Sequence, residues 1–387
     1  MTRPSIPFTA RLGGIYELEG ANAKRMLTME GARGLAVALV FLVHYRAAFV
    51  GWVGSGTTTE SVTQFLWTIG HAGVDLFFVL SGYLIYGAVL KPSLDYTKFM
   101  GRRVQRIYPT FLVVFAMYIA LSFAFPSQSK LPANALDAGL LILQNLLLLP
   151  GIFPIEAIVS VAWSLSYEFF YYLTLPLLVL ALGLRRWQPK QRVLFFSIVS
   201  VLFVASWFLL APKAPRLLMF VAGILLYELV HSLNFAPKIS PAFEWFAIAL
   251  TLAAFAAIAY VETIPETGEM LRLIVSFVAF GTLVFACFRA EGPLYRAFAW
   301  TPLRWLGNMS YSYYLIHALT INAAAMVLGK VLPESMTGPA LYWLMFVPVF
   351  VATLIASTLL FALVEKPFSL VRTQRPKPLG ATVPGAA

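Results

Sequence analysis

The chain has 387 residues, of which 60% are apolar and only 12% charged, and its mean hydropathy is +0.80. Soluble domains carry about a quarter charged residues, so a soluble globular protein is excluded. The net charge of +11 sits in basic clusters between apolar runs, where the positive-inside rule expects it, so no nucleic-acid partner is implied.

The apolar runs are continuous and lack the alternating ten-residue pattern of outer-membrane strands, so helices are expected, each needing about 20 residues to cross the bilayer. Residues 1–30 mix Arg3, Arg11, Lys24 and Arg25 with Glu17, Glu19 and Glu30 and hold no apolar core. They read as a cytoplasmic tail rather than a cleaved signal, with the first membrane segment as an uncleaved anchor. Spans are predicted at 34–52, 72–90, 107–125, 161–183, 193–211, 215–232, 240–261, 270–289, 306–329 and 341–364. The fold class is therefore an all-α polytopic membrane protein of about ten transmembrane helices, with a membrane domain over 31–368.

The run 134–150 is ambiguous, and charge decides it. If it is re-entrant or interfacial, the loop with Arg185, Arg186, Lys190 and Arg192 falls inside, together with Lys91, Lys98 and Arg102 to Arg106. Glu262, Glu266 and Glu269 then fall outside, and both termini are cytoplasmic. Pro150 and Pro154 at the exit of this run suit irregular backbone lining a cavity. The tail 369–387 is rich in Pro, Gly and Ala and reads as disordered. Cys287 is the sole cysteine, so an intrachain disulfide and a cysteine metal cage are excluded.

Chemistry is sought where polar groups are costly. His44 lies within the first apolar run, GLAVALVFLVHYRAAFVGW, and an ionisable group near the bilayer centre is rarely there by accident. The stretch GVDLFFVLSGYLI holds Asp75, Ser81 and Gly82; Ser and Gly also serve ordinary helix packing, and Asp75 stands about one turn from the outer end. Arg102, Arg103 and Arg106 in FMGRRVQRIYP share a helical face suited to phosphate oxygens, or to anionic lipid head groups. Pro109 suits the first turn of a new helix, so these arginines are expected on a separate short surface helix.

In AWSLSYEFFYYLTLP, Glu168 stands among Trp163, Tyr167, Tyr171 and Tyr172, and a carboxylate at that depth needs a partner or a proton. At about 1.5 Å per residue, His44 lies roughly 15 Å deep, Glu168 roughly 10 Å, Ser81 roughly 13 Å and His317 roughly 16 Å from their own ends. All four are compatible with one level near the midplane. His317 closes the stretch GNMSYSYYLIH, whose Asn308, Ser310 and Ser312 also suit interhelical hydrogen bonding. The four histidines show no HxxxH or HxxE spacing, so no metal site is expected.

Together these stretches resemble the acyltransferase family 3 membrane proteins. EGARGLAVALVFLVHY is similar to the family's opening helix, GVDLFFVLSGYLI to its second-helix signature and RRVQRIYP to its RxxR element. WSLSYEFFYYLTLP, RLLMFVAGILLY and GNMSYSYYLIH resemble further family elements, in the family's order from about residue 27 to 366. One departure is MEGARG at 29–34, where the family more often has an aspartate ahead of the glycine.

The resemblance implies a multi-pass enzyme of the bacterial cytoplasmic membrane. It would transfer an acyl group, acetyl in the family's usual chemistry, from acyl-CoA as donor substrate to a hydroxyl of a carbohydrate or lipid-linked sugar. It implies His44 as general base, with Glu168 orienting or charge-stabilising its imidazole, and Arg102, Arg103 and Arg106 holding the donor phosphates. Asp75, Ser81, Tyr171 and His317 are possible pocket residues. No soluble SGNH-type domain is recognised, so chemistry that needs one is expected from a periplasmic or assembly partner. The competing class is a transporter or flippase with a polar midplane site.

Overall fold

The structure, a computed structural model, describes residues 8–18, 24–210, 214–233, 239–261, 264 and 267–370. Its α-helices are α1 (Phe8–Tyr16), α2 (Lys24–Ala48), α3 (Thr58–Gly70), α4 (Ala72–Val89), α5 (Tyr96–Ala124), α6 (Ala135–Leu146), α7 (Trp163–Ala181) and α8 (Pro189–Leu210). They continue as α9 (Leu217–Tyr227), α10 (Pro241–Val261), α11 (Gly268–Arg289), α12 (Pro293–Phe298), α13 (Thr301–Asn308), α14 (Ser310–Val331) and α15 (Pro339–Leu360). Among the described residues nine helical stretches are long and apolar enough to cross a membrane. Leu194, Ile198, Val201 and Leu202 of α8 are exposed, as are Leu344, Val347, Ile355 and Leu359 of α15. Such apolar surface is out of place in water and at home against acyl chains.

Several predicted boundaries move. The first span starts as a helix at Lys24, so the boundary at 30 falls inside α2. The second is longer, because α3 runs into α4 with only His71 between them, giving Thr58–Val89. The expected break before Pro109 is absent: α5 is one helix from Tyr96 to Ala124 with Pro109 inside it. Asp95 caps that helix, its Oδ1 accepting from the Lys98 backbone N–H at 3.0 Å, and this bond holds its carboxyl below the usual range. The expected span at 215–232 is the shorter helical stretch Leu217–Ser232, whose α9 part is almost wholly buried against α4.

The ambiguous run forms α6, too short at 12 residues to span. Leu136, Leu140, Leu143 and Leu147 make one exposed apolar stripe along it. The helix is anchored by Asn145, which accepts from the Ile158 N–H at 2.9 Å and donates to the Glu156 carbonyl at 3.0 Å.

The basic clusters gather at one end. Arg185 donates to the Val89 carbonyl at 2.9 Å, Arg106 to Glu365 at 2.6 Å, and Arg304 to Glu17 and Glu30 at 2.9 Å each. Lys366 reaches the carbonyls of Gly14 and Ile15 at 2.7 Å, so the segments near the two termini meet there. The expected disordered tail lies, from 371 on, outside the described residues.

Candidate active site

A cavity of about 110 Å³ opens among α2, α4, α5, α7 and α14. Helix α5 supplies Arg103 and Arg106, α2 supplies Arg33, α7 supplies Glu168 and Tyr172, and α4 supplies Ser81. At the far end stand Val74, Ser164 and Tyr314. Val74 and Ile85 both line the cavity on α4, so it follows that helix for about 16 Å at 1.5 Å per residue.

The charges are held by specific partners. Ser81 Oγ donates to Glu168 Oε1 at 3.4 Å, and the Tyr172 hydroxyl, one turn along α7, donates to the same oxygen. Arg103 lies over the rings of Phe99 and Tyr172, each at 5.1 Å, which fixes a planar cation without neutralising it. Arg106 pairs with Glu365 at 2.6 Å and covers the Tyr311 ring at 5.5 Å. Glu365 is fully buried and also accepts from the N–H and Oγ of Ser312 at 2.9 and 2.6 Å. Three guanidiniums thus face two carboxylates, leaving a cationic mouth suited to an anionic ligand.

His44 lies beyond the cavity's far end. Its ring meets that of His317 edge to face, centroids 4.8 Å apart, and His317 in turn stands 5.9 Å from Tyr314. His317 Nδ1 donates to the Tyr313 carbonyl at 2.9 Å; a carbonyl only accepts, so this nitrogen carries the proton. Its Nε2 is buried and makes no hydrogen bond among the described residues.

The residues expected to converge therefore form two groups, His44 with His317 and Glu168 with Ser81 and Tyr172. No contact between His44 and Glu168 occurs among the described residues. Tyr171 turns away, stacking on Phe220 at 4.2 Å and donating to the Leu217 carbonyl at 2.9 Å. Asp75, about one turn from the outer end of its span and a possible pocket residue by sequence, does not line the cavity: it is fully buried and pairs with Arg216 at 3.1 Å and Arg272 at 3.0 Å, tying α4 to α9 and α11. Arg102 is exposed and does not line the cavity, because residues three and four apart are neighbours but only Arg103 and Arg106 turn inward.

Arg33 and Glu365 were not singled out by sequence. Arg33 had a signal: it precedes His44 by three helical turns, hence on the same face of α2. Among the described residues no group of three or more His, Cys, Asp or Glu is placed to hold a metal ion.

A multi-pass helical bundle with a cationic cavity leading toward a buried His317 and a half-buried His44 defines a membrane protein with an internal polar site. The chain belongs to acyltransferase family 3: that family's acyltransferase domain matches residues 26–362. It is 27% identical to the acyltransferase MdmB of Streptomyces mycarofaciens, over 94% of this chain and 96% of that protein. It is 29% identical to the exopolysaccharide production protein ExoZ of Rhizobium meliloti, over 67% of this chain and 78% of that one. With the peptidoglycan O-acetyltransferase OatA of Listeria monocytogenes it shares 25% identity over 89% of this chain and 56% of the relative. No solved structure matches. The chain is a multi-pass membrane acyltransferase.

Proposed function

We propose that the protein transfers an acetyl group from acetyl-CoA to a hydroxyl of a carbohydrate or lipid-linked sugar, in the bacterial cytoplasmic membrane, with both termini in the cytoplasm. The observation that carries this reading is the cavity itself, with Arg33, Arg103 and Arg106 at one end and its other end at Tyr314, beside His317 and His44. The arginines hold the donor's phosphates, and the pantetheine arm runs along α4 past Glu168.

The acceptor oxygen attacks the thioester carbonyl while the His44 imidazole takes the hydroxyl proton. The C–S bond then breaks, and the leaving thiolate takes that proton back from the imidazolium as coenzyme A thiol. A positioned base of this kind contributes about 10² to 10⁴ in rate. Glu168, kept in place by Ser81 and Tyr172, balances the imidazolium charge from the cavity wall. ExoZ by its name serves exopolysaccharide production and OatA acetylates peptidoglycan, which supports a glycan acceptor.

The test is incubation of the purified protein with labelled acetyl-CoA, with and without sugar acceptors. Slow thioester cleavage that His44→Ala abolishes, at unchanged membrane insertion, is the expected result. Solute movement across proteoliposomes with no thioester cleavage would establish a transporter instead.

A further inference from the structure

A second hollow, of about 200 Å³, lies toward the opposite ends of α5 and α14. At 1.5 Å per residue, about 24 Å of α5 separates Arg106 in the first cavity from Ser122 in this one. Its polar wall consists of Tyr118, Ser122, Gln128, Lys130, Ser160 and Asn322.

Two of these groups are out of balance with their surroundings. Asn322 is exposed about 18 Å along α14, where a span faces acyl chains, and its amide makes no hydrogen bond among the described residues. The Tyr118 hydroxyl makes none either. Bare amides and phenols are disfavoured against hydrocarbon, so both await a ligand that brings hydroxyls. The ligand is neutral where it meets them, because Lys130 is already committed to Glu156 at 3.0 Å and to the Ala157 carbonyl at 2.7 Å. Between the helices Leu319 and Met326 continue the wall as apolar surface, which suits a hydrocarbon tail.

The two hollows stand on either side of one hydrogen-bonded turn. Ser164 Oγ donates to the Tyr314 hydroxyl at 2.8 Å, and that hydroxyl donates to the Val161 carbonyl at 2.9 Å. Ser164 and Tyr314 face the arginine-lined cavity, whereas Ser160, one residue before Val161, faces the second hollow.

We propose that the second hollow is the acceptor site: it binds the saccharide head of a lipid-linked sugar that enters sideways from the bilayer, with its hydroxyl offered to the thioester across the Tyr314–Val161 turn. The assignment rests on the acyl-transfer reading and adds where the acceptor lies. Asn322 and Gln128 bind sugar hydroxyls, Tyr118 supplies both a hydroxyl and a ring face, and the gap between α5 and α14 takes the tail.

The test uses the full chain in nanodiscs and a polyprenyl phosphate-linked N-acetylglucosamine with a photoreactive diazirine on the sugar. Cross-links should map to residues 118–130 and 319–326. They should fall about tenfold in the double variant Asn322→Leu and Tyr118→Phe, the size expected for losing one or two hydrogen bonds. Thermal unfolding and acceptor-independent acetyl-CoA cleavage should be unchanged in that variant, since neither residue touches the donor cavity. Equal labelling of the variant, or labelling competed as well by plain phospholipid, would overturn the site. Competition by free N-acetylglucosamine as strong as by the lipid-linked form would overturn lateral entry. If wild-type protein fails to cleave acetyl-CoA while the cross-links hold, the transfer reading falls and the hollow stands as a lipid-linked sugar site.

Discussion

The rings of the half-buried His44 and the buried His317 meet edge to face with centroids 4.8 Å apart, joining α2 to α14. His317 Nδ1 is committed to the Tyr313 carbonyl, which leaves its Nε2 as a buried acceptor with no hydrogen-bond partner among the described residues. A nitrogen in that state costs stability, and a fold retains such groups chiefly where chemistry uses them.

Replacing His317 by Phe keeps the ring that stacks on Tyr313 and removes both nitrogens. It exchanges one hydrogen bond, worth about 1 kcal/mol, for relief of an unsatisfied polar atom that costs about 1–3 kcal/mol. His317→Phe should therefore unfold at the same temperature as the wild type or slightly higher, while turnover drops by about 10²-fold at unchanged donor KM. Thermal unfolding in detergent and initial rates measure the two. Undiminished turnover would reduce His317 to packing.

The arginines divide by burial rather than by spacing. Arg103 and Arg106 line the cavity, whereas Arg102 is exposed away from it. Loss of a charge-assisted hydrogen bond to phosphate costs about 1.5–3 kcal/mol, so Arg103→Ala or Arg106→Ala should raise the donor KM about tenfold or more. Arg102→Ala should stay within about twofold, as exposed charges generally do. Titration of acetyl-CoA at fixed acceptor reads all three, and a large effect at Arg102 would place the phosphates outside the cavity.

The contrast between His44 and Glu168 marks what sequence could and could not yield. Helical rise gave a common depth for both, because 1.5 Å per residue needs only a boundary. It carries no information on which neighbouring helix each side chain faces, and here His44 meets His317 while Glu168 meets Ser81 and Tyr172. Arg106 and Glu365 pair across most of the chain, and nothing local to either announces the other. The partners of Asp75 were hidden for the same reason: its height near a helix end says nothing of the two arginines that pair with it, which come from α11 and from the start of α9. Arg33 was legible in principle from its three-turn spacing to His44, a signal masked by its equally good fit to the positive-inside rule.

Asp75 pairs with both Arg216 and Arg272, and it is fully buried. Removing one member of a buried ion pair leaves an uncompensated charge, at about 3–5 kcal/mol. Asp75→Asn should lower stability by that amount, and adding Arg216→Met should recover part of it, because one of the two cations that Asp75 pairs is then gone. Thermal unfolding of the single and double variants measures the recovery. A loss of turnover with no change in unfolding would instead make Asp75 part of the reaction.

Helix α9 reaches α4 only because two glycines cross there. A methyl at Gly82 would stand 2.1 Å from the Phe220 carbonyl oxygen, and one at Gly223 would stand 2.1 Å from that of Val79. Both obstacles are backbone, so neither yields by a rotamer change and the helices must separate. Gly82→Ala and Gly223→Ala should each cost about 1–3 kcal/mol. The double variant should cost less than the sum, since the first separation makes room for the second methyl. Gly82 adjoins Ser81, which holds Glu168, so its substitution should also reduce turnover. Gly281 in α11 has open space where a methyl would go, and Gly281→Ala should be neutral or stabilising by up to about 1 kcal/mol. Thermal unfolding of the four variants decides the matter, and strict additivity of the two α4–α9 substitutions would show that they act at independent sites.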